Sequence, residues 1–212
     1  MDLNTIYEAV FDGNAKEAAA AVEAVLAAGE TPETILNDAC IPAMAEVGEE
    51  FEAGEKFVPE MLISARAMAA AMTILRPLLV QAGVKTVGKV VLGTVHGDLH
   101  DIGKNLVGMM LEGAGFEVID LGVDVAPQKF VDAVKQHQPD IVGMSALLTT
   151  TTKAMPMTLA ALVDAGLRDQ VKVMIGGAPI TDDFAQKIGA DGFAADAGSA
   201  ARKARALMGL AN

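Results

Sequence analysis

The segment Gly97-Asp98-Leu99-His100-Asp101-Ile102-Gly103-Lys104 gathers carboxylates, an imidazole and two glycines in eight residues. An Asp two residues before a His, in a glycine-flanked loop, can turn its carboxylate onto one imidazole nitrogen. The other nitrogen then points outward and becomes a better metal ligand. Gly97 and Gly103 add no side-chain bulk, which permits close approach of something flat or large. A second reading stands beside this one: Asp101 caps the following helix and His100 is an exposed loop residue. Lys104 invites a phosphate-loop reading, but neither G-x-x-x-x-G-K-[ST] nor G-x-G-x-x-G is present.

Two more loops follow apolar runs. One is Ser145-Ala146-Leu147-Leu148 with the threonines Thr149, Thr150, Thr151 and Thr152; the other is Gly176-Gly177-Ala178-Pro179. A hydroxyl loop and a paired-glycine loop at neighbouring strand ends suit a long ligand tail lying between strands and helices. Equally, the threonines read as a helix start with several capping candidates, and the glycines as a tight strand-to-helix turn.

The elements that must position these loops have two grammars. From residue 89 onward, β-rich runs at 89–95, 116–121, 140–144, 171–175 and 192–194 alternate with helical stretches at 102–112, 128–136, 155–165, 182–188 and 199–208. Apolar strands separated by helices predict a parallel sheet covered on both faces, here a five-stranded, doubly wound, flavodoxin-like (Rossmann-like) α/β domain. Ligands in such sheets bind beyond the carboxyl ends of the strands, where all three loops fall. Residues 1–82 instead show helical spacing and read as a small up-down bundle. Helices are expected at 3–11, 15–28, from 31, at 41–53 and at 59–80, the last with the stripe Met61, Leu62, Ala65, Met68, Ala69, Met72, Leu75 and Leu79. Residues 83–88, in the stretch QAGVKTVG, read as a linker before the 89–212 domain.

Composition narrows the function classes. With 16 Lys+Arg against 28 Asp+Glu and a formal charge of −12, the surface repels phosphate backbones, so no nucleic-acid partner is expected. A single cysteine, Cys40, makes neither an internal disulfide nor a cysteine zinc cluster and suits a reducing cytoplasm. The start carries acidic Asp2 and Glu8 and no basic region, unlike a signal peptide. Arg66 and Arg76 inside the apolar stretch 61–80 argue for a bundle helix and against a membrane span.

Taken together, the three loops resemble a known family. Asp98-Leu99-His100-Asp101-Ile102-Gly103, then Ser145-Ala146-Leu147, then Gly176-Gly177, match the D-x-H-x-x-G … S-x-L … G-G fingerprint of cobalamin-binding domains. The wider wording, GTVHGDLHDIGKNLV, DLGVDV and IGGAPIT, matches as well. The helical half, with Phe57-Val58-Pro59-Glu60 leading into Ser64-Ala65-Arg66, resembles the bundle that caps cobalamin in methionine synthase. Nearly the whole chain is similar to the methyltransferase cognate corrinoid proteins.

That resemblance implies a corrinoid (cobalamin) cofactor bound with its own base detached from cobalt. His100 is the implied metal ligand, Asp98 its hydrogen-bond partner and Thr151 the hydroxyl continuing that chain. Ser145 would contact the displaced base. Gly176 and Gly177 would leave room for the nucleotide tail, and Leu147 would line its slot. Gly97, Asp101, Ile102, Gly103 and Thr149 complete the implied cofactor site. Phe57 would cover the reactive face, or else act as a hydrophobic staple before its helix. The implied function is a methyl carrier, loaded at Co(I) by a substrate-specific methyltransferase and unloaded from methyl-Co(III) by a second one. Tetrahydrofolate or coenzyme M is the implied final acceptor, and a reductive activator is a further partner the resemblance leaves room for. Such a chain is not catalytic without its partners.

Two other corrinoid classes share the sheet-domain fingerprint. A cobalamin-dependent sensor adds a DNA-binding segment, which the acidic balance disfavours. The small subunit of a B12-dependent mutase lacks the methyltransferase-type bundle.

Overall fold

The computed structural model describes residues 2–84 and 86–210. The chain divides into two compact units, one of Met1–Thr86 with Gly113–Gly115 and one of Val87–Glu112 with Phe116–Asn212. Within the expected linker, Lys85 lies outside the described residues, and Gly88 already accepts the Glu117 N–H at 2.9 Å beside the first strand pair.

The first unit is helical. α1 (Leu3–Phe11) starts where the Asp2 carboxylate accepts the Thr5 N–H, and α2 (Ala15–Ala27) where Asn14 accepts from Glu17. α3 (Pro32–Ile35) begins with Pro32 behind the Thr31 cap. It then loosens into a π-turn, Leu36–Cys40, before α4 (Ile41–Ala53). Pro42 has no N–H to give the carbonyl four residues back, and its ring crowds that carbonyl, so the ladder widens just ahead of it.

α5 (Val58–Gln81) packs chiefly on α2. It is the one helix among the described residues long and apolar enough to cross a membrane by length and composition. Its buried residues follow a single face: Met61, Ser64, Ala65, Ala67, Met68, Ala71, Leu75 and Leu79, with Arg66 and Arg76 exposed. That face differs from the expected stripe. Leu62 and Met72 are only half-buried and Ala69 is exposed, while small residues, Ser64, Ala67 and Ala71, are buried instead. The Ser64 hydroxyl is satisfied by donating to the Phe11 carbonyl at the end of α1, 2.8 Å away.

The second unit is a five-stranded parallel sheet of order β2-β1-β3-β4-β5. The strands are β1 (Lys89–Thr94), β2 (Glu117–Asp120), β3 (Ile141–Ser145), β4 (Lys172–Gly176) and β5 (Gly192–Ala194). The connecting helices are α6 (Ile102–Gly113), α7 (Pro127–His137), α8 (Ala154–Asp164) and α9 (Asp182–Ile188), and α10 (Ala197–Leu207) follows β5. This is the flavodoxin-like winding, with β1 and β3 side by side where the connections diverge.

Val91, Val142, Met144, Val173 and Ile175 of the central strands pack with Phe130, Val134, Leu159 and Leu162 in one apolar core. Each such side chain contributes about 1.5–3 kcal/mol by leaving water. The core thereby fixes the register in which Thr94 of β1 lies opposite Ser145 of β3, and the loops after both strands start level. α10 starts on a reciprocal cap: Asp196 accepts the Ser199 N–H and the Ser199 hydroxyl accepts the Asp196 N–H.

Candidate functional site

The site is built where β1 and β3 end. Val95 leaves β1, donating its N–H to the Ser145 carbonyl at 3.0 Å. The chain then turns through Gly97, whose φ of +84° lies in the left-handed region that favours glycine. Asp98 follows and is fully buried. Its Oδ1 lies 2.7 Å from His100 Nδ1 and accepts the His100 N–H at 3.1 Å. Its Oδ2 accepts from the Thr151 hydroxyl at 2.7 Å and from the main-chain amides of Leu147 and Leu148 at 2.8 and 3.2 Å. The carboxylate is therefore held from its own loop and from the loop after β3. Behind it, the buried Thr94 hydroxyl donates to the His100 carbonyl at 2.9 Å, fixing the main chain of the histidine.

Electrostatics set the protonation pattern. Burial alone would raise the Asp98 carboxyl; the hydrogen bonds from Thr151, His100 and the Leu147 amide outweigh it and hold the group well below the usual carboxylate range. Asp98 is thus an ionised acceptor at neutral pH. An ionised carboxylate has no proton to give, so the proton between it and His100 belongs to Nδ1. The neutral imidazole then carries its lone pair on Nε2, on a side chain 50 % exposed. This is the form of imidazole that binds a metal.

The surroundings suit a large apolar ligand. Leu99 and Ile102 are 71 % and 75 % exposed on either side of His100, and Leu147 and Leu148 are also exposed. Gly103, at the start of α6, would meet nothing within 4 Å if it carried a Cβ, so the space over that turn is open. Among the described residues, no three His, Cys, Asp or Glu side chains group as a site that could hold a bare metal ion. One imidazole amid exposed apolar side chains fits a metal whose other positions are filled by a macrocycle.

The remaining expected residues fall around this centre in different ways. Asp101 is exposed, and its carbonyl accepts the Asn105 N–H at the opening of α6. Ser145 ends β3 half-buried, and Thr149 is exposed. Gly176 and Gly177 follow β4. At Gly177 (φ +125°) a Cβ would lie 1.9 Å from the Ala146 carbonyl oxygen, and at Gly176 it would lie 2.9 Å from that of Ala194. At both glycines neighbouring main chain occupies the space that a side chain would need. Phe57 belongs to the helical unit, where it precedes α5 and its N–H donates to Glu60 Oε2 at 2.9 Å. It is 64 % exposed, so the hydrophobic-staple reading does not hold.

Two features escaped sequence reasoning. Lys104 is buried, with its ammonium on Asp120 of β2 and on Asn105, and it pins α6 to the sheet. Asp124, after β2, binds the Gly97 amide and lies 2.7 Å from His96 Nδ1. The only sequence signal for the latter was the spacing of acids in DLGVDV.

Comparison with known proteins decides the family. A family model described as a B12 binding domain matches residues 88–205, and a second of the same description matches residues 2–76. The chain belongs to the B12-binding corrinoid proteins. Trimethylamine corrinoid protein 1 of Methanosarcina acetivorans is 42 % identical, over 95 % of this chain and 94 % of its own. The dimethylamine corrinoid protein of Methanosarcina barkeri is 44 % identical, over 84 % of each. Among solved structures, a cobalamin-binding protein from Desulfitobacterium hafniense covers 98 % of both chains with a TM-score of 0.83 and 37 % identity. The methanol:cobalamin methyltransferase complex of Methanosarcina barkeri covers 98 % of this chain and 79 % of its own, with a TM-score of 0.84 and 30 % identity. As a corrinoid protein of a methyltransferase system, the chain has cobalamin or a related corrinoid as its cofactor.

Proposed function

We propose that this corrinoid protein carries methyl groups between two methyltransferases, with His100 as the protein's axial ligand to cobalt and the cofactor's own base displaced. The corrinoid supplies the chemistry, a cobalt that takes a methyl group as Co(I) and yields it from the methylated Co(III) state. The chain's residues do the rest. Ionised Asp98 keeps the His100 proton on Nδ1 and directs the Nε2 lone pair outward. Thr151 and the Leu147 and Leu148 amides keep that carboxylate ionised and in place. Leu99, Ile102 and Leu147 offer apolar contact to the corrin and its tail. Ser145 and Thr149 offer hydroxyls to the displaced base, at the turn shaped by Gly176 and Gly177.

One observation carries this reading: a fully buried, ionised Asp98 at 2.7 Å from Nδ1 of a half-exposed histidine. His100→Ala, loaded with methylcobalamin, is expected to bind corrinoid but to change its visible spectrum. An unchanged spectrum in the methylated state overturns ligation by His100.

Trimethylamine and dimethylamine corrinoid proteins resemble this chain at 40–46 % identity and a monomethylamine corrinoid protein at 35 %, above the 30 % of the methanol complex. A methylamine-specific methyltransferase is therefore the partner we assign on the loading side. Cobalt methylation in a mixture of this protein, reductant, trimethylamine or dimethylamine and the matching methyltransferase tests it. Methylation with the methanol enzyme alone refutes it.

A further inference from the structure

Asp124 reaches the loop of His100 from the side opposite Thr151. Its Oδ1 accepts the Gly97 N–H at 2.7 Å and lies 2.7 Å from His96 Nδ1. Its own N–H donates to the Asp98 carbonyl at 2.9 Å. One residue thus holds the His96 side chain, the Gly97 amide and the Asp98 carbonyl, three consecutive points of the turn that leads into His100. Adjacent main chain joins in, with Val95 bridged to Val125 and Thr94 accepting the Val125 N–H. Asp124 makes these contacts at φ +51°, in the left-handed region that Asp and Asn enter more readily than most residues. The Gly97 amide, ahead of the neighbouring His96, holds its carboxyl below the ordinary range, so it serves as an ionised acceptor.

Asp98 is consequently gripped twice. The loop after β3 holds its side chain, and Asp124 holds its main chain. We propose that Asp124 is a positioning residue for His100, fixing the Gly97–Asp98 turn so that Nε2 is presented in one place. The inference rests on the reading of His100 as the axial ligand and adds a residue that the family fingerprint does not contain.

Three variants separate the possible roles. Asp124→Gly removes the acceptor with no penalty for the positive φ. Asp124→Asn keeps an oxygen for the Gly97 amide and tolerates the same φ. His96→Ala removes the imidazole alone. In the cofactor-free full chain, the readouts are hydrogen exchange of the Gly97 amide and the ring 15N shifts of His100. In the methylcobalamin-loaded chain, the readout is the ratio of histidine-ligated to unligated cobalt in the visible spectrum.

Asp124→Gly is expected to speed Gly97 exchange and to lower the ligated ratio by about tenfold each, the weight of one hydrogen bond to an ionised group. His96→Ala, which keeps the bond to Gly97, is expected to stay within about twofold of the parent, and Asp124→Asn, which keeps a neutral acceptor for it, to fall between the parent and the glycine variant. Wild-type ring shifts and ratio in Asp124→Gly overturn the proposal, as does an Asp124→Asn variant as defective as the glycine one. Asp124→Ser, too short to span to Gly97, replaces Asp124→Gly if that chain does not fold. Should the parent protein itself show no histidine ligation, the axial-ligand reading falls, while exchange and ring shifts in the cofactor-free chain still decide whether Asp124 orders the turn.

Discussion

Thr151→Val tests the electrostatic logic of the site without touching the histidine. The substitution is nearly isosteric, so it opens no cavity, and it removes one hydroxyl. That hydroxyl lies 2.7 Å from Asp98 Oδ2 and 2.8 Å from the Leu148 carbonyl, but it has one proton to give. The ionised oxygen is the stronger acceptor and takes it. A hydrogen bond to a charged, buried group is worth about 1.5–3 kcal/mol, and its loss is expected to lower unfolding stability at pH 7 by that amount. At about 1.4 kcal/mol per pH unit, the same loss moves the Asp98 titration midpoint up by about one to two pH units, toward the ordinary value. Asp98 has a depressed value in the folded state, so the stability it contributes is complete above the unfolded carboxyl value of about 3.9. It is lost as pH falls through the folded value, and the variant loses it at higher pH than the parent. The assay is 13C NMR of the Asp98 carboxyl during acid titration, paired with urea unfolding at pH 7. Identical midpoints in parent and variant refute the argument, because the hydroxyl would then be contributing packing and not charge stabilisation.

Asp98→Asn keeps the size of the side chain but gives His100 the wrong partner for a proton on Nδ1. Corrinoid affinity, measured by titration with cobalamin, is expected to fall about 10–100-fold. Gly177→Ala drives a methyl group onto the Ala146 carbonyl and strains a positive φ; unfolding stability should drop by roughly 2–5 kcal/mol in urea titration. Cys40 is fully buried and burial pushes its thiol up to about 12, so at pH 8 only on the order of one in ten thousand molecules is a thiolate. Native protein should therefore resist a disulfide reagent that labels the urea-unfolded chain at once.

Much of this architecture is legible in the residues because local signals agree with the fold. Apolar runs of Val, Ile and Met bounded by glycine or proline gave every strand within a residue or two, and 192–194 and 182–188 coincide with β5 and α9. The Asp98–His100 pairing follows from a spacing of two on a turn. Features that depend on distant residues were not legible. Lys104 finds Asp120 across 16 residues, and no local pattern announces that an ammonium beside a glycine-rich loop will be buried. The π-turn at Leu36–Cys40 looked like plain helix, because helical periodicity cannot register one inserted residue. The buried face of α5 was misjudged because large apolar residues were weighted over small ones, whereas close helix contact selects Ser64, Ala67 and Ala71. The need for glycine at 177 likewise comes from a distant residue, the carbonyl of Ala146, which no local pattern shows.

Two of the three donors on Asp98 Oδ2 are peptide amides, those of Leu147 and Leu148. Any amino acid except proline supplies the same N–H at either place. The identity of those two exposed side chains is thereby uncoupled from the anchoring of the acid. A side-chain substitution at either place reshapes the exposed apolar surface beside His100 without taking a donor from the carboxylate that supports the imidazole.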